Sequence, residues 1–221
     1  LIAVFLAYCF ASPFVVSAIK KEKSKSLTIV VDAGHGGEDG GASSPDGVLE
    51  SGLNLQFALR MRDLLQFAGV ETMMLRETDT ALYTDGCSGI AEKKVSDLKN
   101  RVALINGTPG ALLVSIHQNS YHQEEVSGGQ VFYYKSSEKG KRLAEIIQKR
   151  FDYVLGEQNR RLARANGNYY LLLHVKCPIV IVECGFLSNR KEAALLQDPE
   201  YQDRMAWTVH MGIMEYLGGS A

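Results

Sequence analysis

Apolar runs of strand length alternate along this chain with stretches whose apolar residues recur every three or four positions, the pattern of an α/β protein. Leu27-Thr28-Ile29-Val30-Val31 is a short β-type run. From Glu50 onward, Leu53, Phe57, Met61, Leu64, Leu65 and Ala68 share one helical face, and Gly69 stops the helix. Glu71 to Leu75 predicts a second strand and so a β-α-β unit, which sets two strands parallel and gathers a site at their carboxyl ends. Arg76 to Asp97 reads as a long polar insertion, followed by a helix with Leu98, Val102 and Ile105 on one face and Gly107 at its end. Ala111 to Ile116 is a nearly continuous apolar run, as in a central strand buried on both faces.

The second half repeats the alternation. Gln130 to Lys135 predicts a strand, and Glu138 to Leu155 a helix buried along Leu143, Ile147, Phe151 and Val154. Asn159 to Asn168 is a basic polar loop, best read as solvated, whose three arginines also suit a carboxylate-bearing ligand. Tyr169 to Leu173 and Ile179 to Val182 read as two more strands. Asn189 with Glu192 three residues later has the spacing of a capping box, and Asp198-Pro199 opens a last helix along Met205, Val209, Ile213 and Leu217. The expected fold is a single α/β domain, a mostly parallel or mixed twisted sheet of about six strands flanked by helices.

The amino end is different. Residues 1–19 carry no charge, and Leu1 to Ala7 is strongly apolar. That length just spans a bilayer, and Val16-Ser17-Ala18 resembles a small-residue cleavage site, so a membrane anchor and a signal peptide both fit. A buried core helix is the alternative, and bulky Tyr8 before Cys9 disfavours a lipoprotein signal. Residues 20–26 read as a solvated linker and 27–221 as the folded domain, which is expected to be exported, with membrane contact if the first segment is uncleaved.

Composition narrows the function. A net charge of -1 without a basic block gives nucleic acid no electrostatic purchase and suits a polar or uncharged polymer. The four cysteines, Cys9, Cys87, Cys177 and Cys184, form no C-x-x-C pair, so neither a zinc knuckle nor a disulfide framework is expected, and Cys177 and Cys184 read as buried hydrophobes.

The candidate chemistry follows the first strand. Between Gly34 and Gly41, five of eight residues are glycine, with His35 among them. A passenger histidine in a tight turn is the bland reading. A phosphate cradle lacks the Lys-Ser/Thr ending of a P-loop and the G-x-G-x-x-G spacing. The third reading is a metal ligand at a strand end. His117 and Glu183 also follow apolar runs, and Glu50 opens a helix, where the helix dipole alone would favour a carboxylate. In a mostly parallel sheet these strand ends meet at one edge. Two imidazoles and a carboxylate are a known set for catalytic zinc, and a further carboxylate beside it can serve as general base.

Four segments then carry a resemblance: Asp32-x-Gly34-His35-Gly36-Gly37-x-Asp39-x-Gly41-Ala42; Glu50 with Asn54-Leu55; Ser115-Ile116-His117-x-Asn119; and Val182-Glu183-Cys184-Gly185-Phe186-Leu187-Ser188-Asn189. Together they resemble the zinc-dependent N-acetylmuramoyl-L-alanine amidases, in order and over nearly the whole domain. The resemblance implies a phosphorylase/hydrolase-like fold and one Zn2+ per chain, bound by His35, Glu50 and His117. It also implies Glu183 as the catalytic carboxylate and peptidoglycan as the substrate. Asp32 and Asn119 are expected to support the ligands from behind or to face the substrate. Ala33 stands where many relatives have proline, with no expected effect. Arg76-Glu77-Thr78-Asp79-Thr80, the insertion through Lys94, and the segment from Asp97 to Asn106 are most similar to the germination-specific spore-cortex amidases. That likeness implies a role in forming muramic δ-lactam in the cortex and leaves room for an accessory or activating protein. The rival readings are a zinc carboxypeptidase-like peptidase, a cysteine amidase using Cys184, and a non-catalytic wall-binding protein.

Overall fold

The computed structural model describes residues 27–156 and 159–219; the expectations for residues 1–26 lie outside them. Among the described residues, no helix is long and apolar enough to cross a membrane. The elements run β1 (Thr28–Ala33), α1 (Glu50–Phe67), β2 (Thr72–Met74), α2 (Ile90–Gly107), β3 (Ala111–Asn119), β4 (Gln130–Tyr134), α3 (Glu138–Leu155), β5 (Arg164–Asn166), α4 (Tyr170–His174), β6 (Ile179–Phe186), α5 (Arg190–Gln197) and α6 (Pro199–Gly218).

The six strands form one sheet in the order β2-β1-β3-β6-β4-β5. β2, β1, β3 and β6 pair in parallel, whereas β4 runs antiparallel to β6 and carries β5 parallel to itself. The sheet is therefore mixed, as expected, with its parallel part in β2, β1, β3 and β6.

Side chains alternate across the sheet, and each face has its own core. Ile29, Val31, Leu112, Val114, Val180 and Val182 face α1, α3, α5 and α6. Val30, Leu113, Ile179 and Ile181 face the smaller layer made by α2 and α4. Of the apolar stripe read in the sequence of α1, Leu53, Phe57, Met61 and Leu65 are buried and Leu64 is half-buried, whereas Ala68 lies past the helix end and is exposed.

Four expectations need correction. Tyr169 to Leu173 is not a strand: Tyr170–His174 is a short helix. An apolar run this short has no readable period, and here the Tyr170 and His174 rings stack one helical turn apart at 4.0 Å. The missing strand is instead Arg164–Asn166, inside the stretch read as a basic loop; it pairs with Phe132, Tyr133 and Tyr134 at the sheet edge, where charged residues are tolerated. The helix placed after Asp97 starts at Ile90, so the polar insertion is shorter. At the start of α5, Asn189 caps as expected, accepting from Lys191 and Glu192 backbone N–H groups. Glu192 does not close the box, because its carboxylate accepts from the backbone N–H of Gly128 and Phe186.

Candidate metal centre

The glycine loop leaves β1 at Ala33, and the Gly34 N–H still donates to Ile116 O at 3.0 Å. His35 follows with φ 62°, in the left-handed region that residues with a Cβ seldom occupy. Two buried arginines hold this conformation. Arg76 donates to the carbonyls of Ala33 (2.8 Å), Gly34 (3.0 Å) and Ser51 (2.8 Å). Arg101 donates to the carbonyls of Ala33 (3.0 Å) and His35 (2.7 Å), and pairs with Asp32 and Asp97.

The loop thereby delivers His35 to Glu50 and His117. Ligand atoms of these three residues all lie within 4.8 Å of one another. Glu50 Oε2 is 3.3 Å from His35 Nε2, and Glu50 Oε1 accepts from His117 Nδ1 at 2.9 Å. Glu50 is fixed from behind by donors from Ala42 N (2.8 Å), Asn54 Nδ2 (3.1 Å) and Gln118 N (3.2 Å). On the far side of its ring, His35 Nδ1 donates to Asp39 Oδ2 at 2.8 Å, which leaves Nε2 as the lone-pair nitrogen facing the cluster. Burial opposes a charge on both partners of the Glu50–His117 pair. Their mutual attraction overcomes it, holding the Glu50 carboxyl far below the usual range and lifting His117 to about 9. A buried carboxylate between two imidazoles, one with its outer nitrogen already spoken for, is a donor set that fits a divalent metal ion.

Two glycines make the convergence sterically feasible. A Cβ on Gly34 would lie 2.2 Å from the His117 ring, and one on Gly41 would lie 2.5 Å from Glu50 Oε2. The loop is glycine-rich here because backbone, not side chain, must pack against the ligands.

Glu183 stands beside the cluster. It lies within β6, in register with His117 of β3, so both strands continue past the residues expected to end them. The residue is 6 % exposed, and among the described residues its Oε2 has no hydrogen-bond partner. Burial pushes its pKa up, the His117 charge offsets only part of this, and the result is about 7. The Tyr169 hydroxyl is its polar neighbour, and burial together with the Glu183 charge raises that phenol to about 12, so it is a neutral donor.

The two residues expected to support the ligands differ in what they touch. Asp32 is fully buried, and its hydrogen bonds go to Arg101 and to Ser115 Oγ (2.6 Å), not to an imidazole. Its charge is held by Arg101 and steadies the loop backbone. Asn119 accepts from Ser120 N through Oδ1 and lines the cavity in front of the cluster. Asp39, Asn54, Arg76 and Arg101 lie in the segments that carry the resemblance but have no role assigned from sequence, and Tyr169 is read there only as part of a strand. Asn54 sits one helical turn from Glu50, a spacing that could have marked it. Cys184 faces the opposite core at 1 % exposure, and burial drives its thiol pKa well up, so it offers no nucleophile.

Two cavities adjoin in front of these groups. One of about 320 Å3 is lined by His35, Glu50, His117 and Glu183. A polar one of about 580 Å3 shares Asn119 and Tyr169 with it and continues to Arg161 and Arg164.

Comparison with known proteins agrees with this geometry. A family described as N-acetylmuramoyl-L-alanine amidase matches residues 29–215. The germination-specific N-acetylmuramoyl-L-alanine amidase of Bacillus subtilis is 40% identical over 189 residues, covering 86% of this chain and 79% of the relative. The N-acetylmuramoyl-L-alanine amidase LytC of the same organism is 31% identical over 86% of this chain, which spans 35% of that longer protein. The solved structure of the CwlD amidase from Clostridioides difficile, in complex with the GerS lipoprotein, superposes with a TM-score of 0.84 at 38% identity, over 87% of this chain and 98% of that one. The chain belongs to the N-acetylmuramoyl-L-alanine amidase family.

Proposed function

We propose that this chain hydrolyses the amide between N-acetylmuramic acid and the L-alanine that begins the stem peptide of peptidoglycan, using one zinc ion held by His35, Glu50 and His117. The observation that carries the reading is the gathering of those three ligands beside a buried carboxyl, Glu183, whose Oε2 is free of partners. Family membership supplies the bond.

When bound, such an ion supplies Lewis-acid chemistry, polarising a carbonyl and acidifying a water. The protein's residues do the rest. Asp39 fixes the His35 ring, and Asn54, Ala42 N and Gln118 N fix Glu50, so the ligands are oriented before substrate arrives. Glu183, poised near neutrality, takes the proton of the attacking water and returns it to the leaving nitrogen of L-alanine. Tyr169, a neutral phenol lining the same cavity as Glu183, is the group that can donate to its carboxylate. Asn119, at the mouth of the cavity, meets the substrate.

The biological setting follows from the relatives. The name of the B. subtilis relative supports a role in the spore cortex, where removing the peptide permits muramic δ-lactam to form. Action is extracytoplasmic, at the membrane's outer face or in the cortex. The solved complex of a similar amidase with a lipoprotein supports an accessory partner for this chain too.

The test is to digest cortex and vegetative peptidoglycan with and without added zinc and identify the products by mass. Peptides with free amino-terminal L-alanine, released only with zinc, are expected. Cleavage inside the peptide would refute the assigned bond.

A further inference from the structure

The second cavity has a chemistry of its own. Arg161 is half-buried and pinned: it lies over the Phe186 ring at 4.4 Å, and it donates through Nε to Ser127 O (2.6 Å) and through Nη1 to Gln130 Oε1 (3.0 Å). All of these partners are uncharged. Its Nη2 makes no hydrogen bond among the described residues. Glu192, the carboxylate whose field it feels, already accepts from Gly128 N and Phe186 N. Arg164, at the start of β5, is exposed, forms no ion pair among the described residues, and lines the same cavity. Among the described residues no Asp or Glu lines it, whereas Asn166 and Asn168 add further polar groups. Two guanidinium groups without a carboxylate between them, one held in place at uncharged acceptors, form a preorganised anion site.

Its position relative to Glu183 tells which part of the substrate would enter. In the sheet, β1 and β3 carry the imidazoles on one side of β6, and β4 and β5 build this cavity on the other. Gln130 stands opposite Glu183 in the antiparallel register and lines the cavity. A general acid must lie beside the leaving group it protonates. The leaving group here is the amino end of the stem peptide, so the peptide extends past Glu183 and Tyr169 toward the arginines, and the sugar lies on the other side.

We propose that this cavity is the stem-peptide subsite and that Arg161 and Arg164 bind a free carboxylate of the peptide, making the protein selective for anionic over amidated stems. The inference rests on the amidase reading for the identity of the ligand. It explains a basic segment in a protein of balanced charge: the arginines of the Asn159–Asn168 segment are partly ligand contacts, not a solvated face alone.

The test is calorimetric binding of a synthetic L-alanyl-D-isoglutamyl tripeptide to the full chain, with its carboxylates free or amidated. The free peptide is expected to bind about tenfold more tightly than the amidated one, the scale of one charge-assisted contact at a partly exposed site. Arg164→Gln and Arg161→Gln should each reduce that preference, and the double variant should abolish it. Arg164 is exposed and its side chain makes no hydrogen bond or ion pair among the described residues, so its variant keeps the test valid even if Arg161→Gln disturbs the fold. Equal binding of the two peptides, no binding of either, or an undiminished preference in the double variant would overturn the subsite. Failure of hydrolysis with carboxylate-selective binding intact would instead count against the amidase reading.

Discussion

His117 and Glu183 stand directly opposite each other across the parallel pair of β3 and β6. Residues in register on neighbouring strands share a face, so imidazole and carboxyl project side by side from the same sheet edge. The preceding pair on that face, Ser115 and Ile181, is also in register, and Ser115 is bonded to Asp32 of β1. The site is thus an extension of the sheet's own ladder, with only Glu50 and the glycine loop brought from outside.

In the proposed mechanism Glu183 transfers protons and does not bind the metal. Glu183→Gln is expected to lower the rate of amide hydrolysis by at least about a hundredfold, the low end of general acid–base catalysis, while metal content stays as in the parent. Parallel assays of turnover and bound metal check it; unchanged turnover would remove Glu183 from the mechanism.

The same substitution should stabilise the protein at alkaline pH. The Glu183 pKa is raised from 4.5 to about 7, so the folded state holds a proton that the unfolded chain releases. Stability therefore falls as pH rises from 4.5 through about 7, and the full cost applies above that. With a chelator present, Glu183→Gln should gain on the order of 3 kcal/mol at pH 8 and nothing at pH 4. Denaturant melts at the two pH values would show it, and an equal gain at both would contradict the assigned burial penalty.

Asp32 and Arg101 have the opposite sign. Asp32 is buried, but Arg101 and Ser115 hold its pKa below 3.8. Its contribution is present above pH 3.8 and is lost as pH falls through the lower folded value. Arg101→Met leaves the Asp32 charge buried without its partner, frees the carbonyl of His35 and leaves that of Ala33 to Arg76 alone. A loss of about 3–5 kcal/mol at pH 7 is expected, partly restored by adding Asp32→Asn. Additive losses in that double-mutant cycle would show that the pair does not act as a unit.

Gly34→Ala tests the packing of the loop. The new methyl would sit 2.2 Å from the His117 ring, so the ring must leave or the loop must shift. Destabilisation of about 1–3 kcal/mol and loss of metal binding are expected, whereas Gly107→Ala, at the end of α2 where a Cβ meets nothing within 4 Å, keeps the site intact. Normal metal affinity in Gly34→Ala would show that the contact is not needed.

The sequence made much of this legible because strand ends and helix starts are written in it. His35, His117 and Glu183 each sit at or near the carboxyl end of an apolar run, and Glu50 opens the first amphipathic helix. The supports were harder to see. Arg76 and Arg101 lie in polar stretches, and only the folded chain shows that their guanidinium groups bind main-chain carbonyls of the glycine loop. Tyr169 was placed in a strand because Tyr-Tyr-Leu-Leu-Leu is apolar without a period, and its link to Glu183 depends on the turn that precedes α4. Edge strand β5 carries Arg164 among polar residues, so neither hydrophobicity nor alternation reveals it.

The account centres on one ion held by His35, Glu50 and His117, and metal stoichiometry tests it most directly. Purified protein loaded with zinc and freed of excess should hold one ion per chain. His35→Ala, Glu50→Gln and His117→Ala should each lose most of it, and Glu183→Gln should retain it. Full occupancy in any of the three ligand variants, with fold intact by circular dichroism, would contradict the proposed centre.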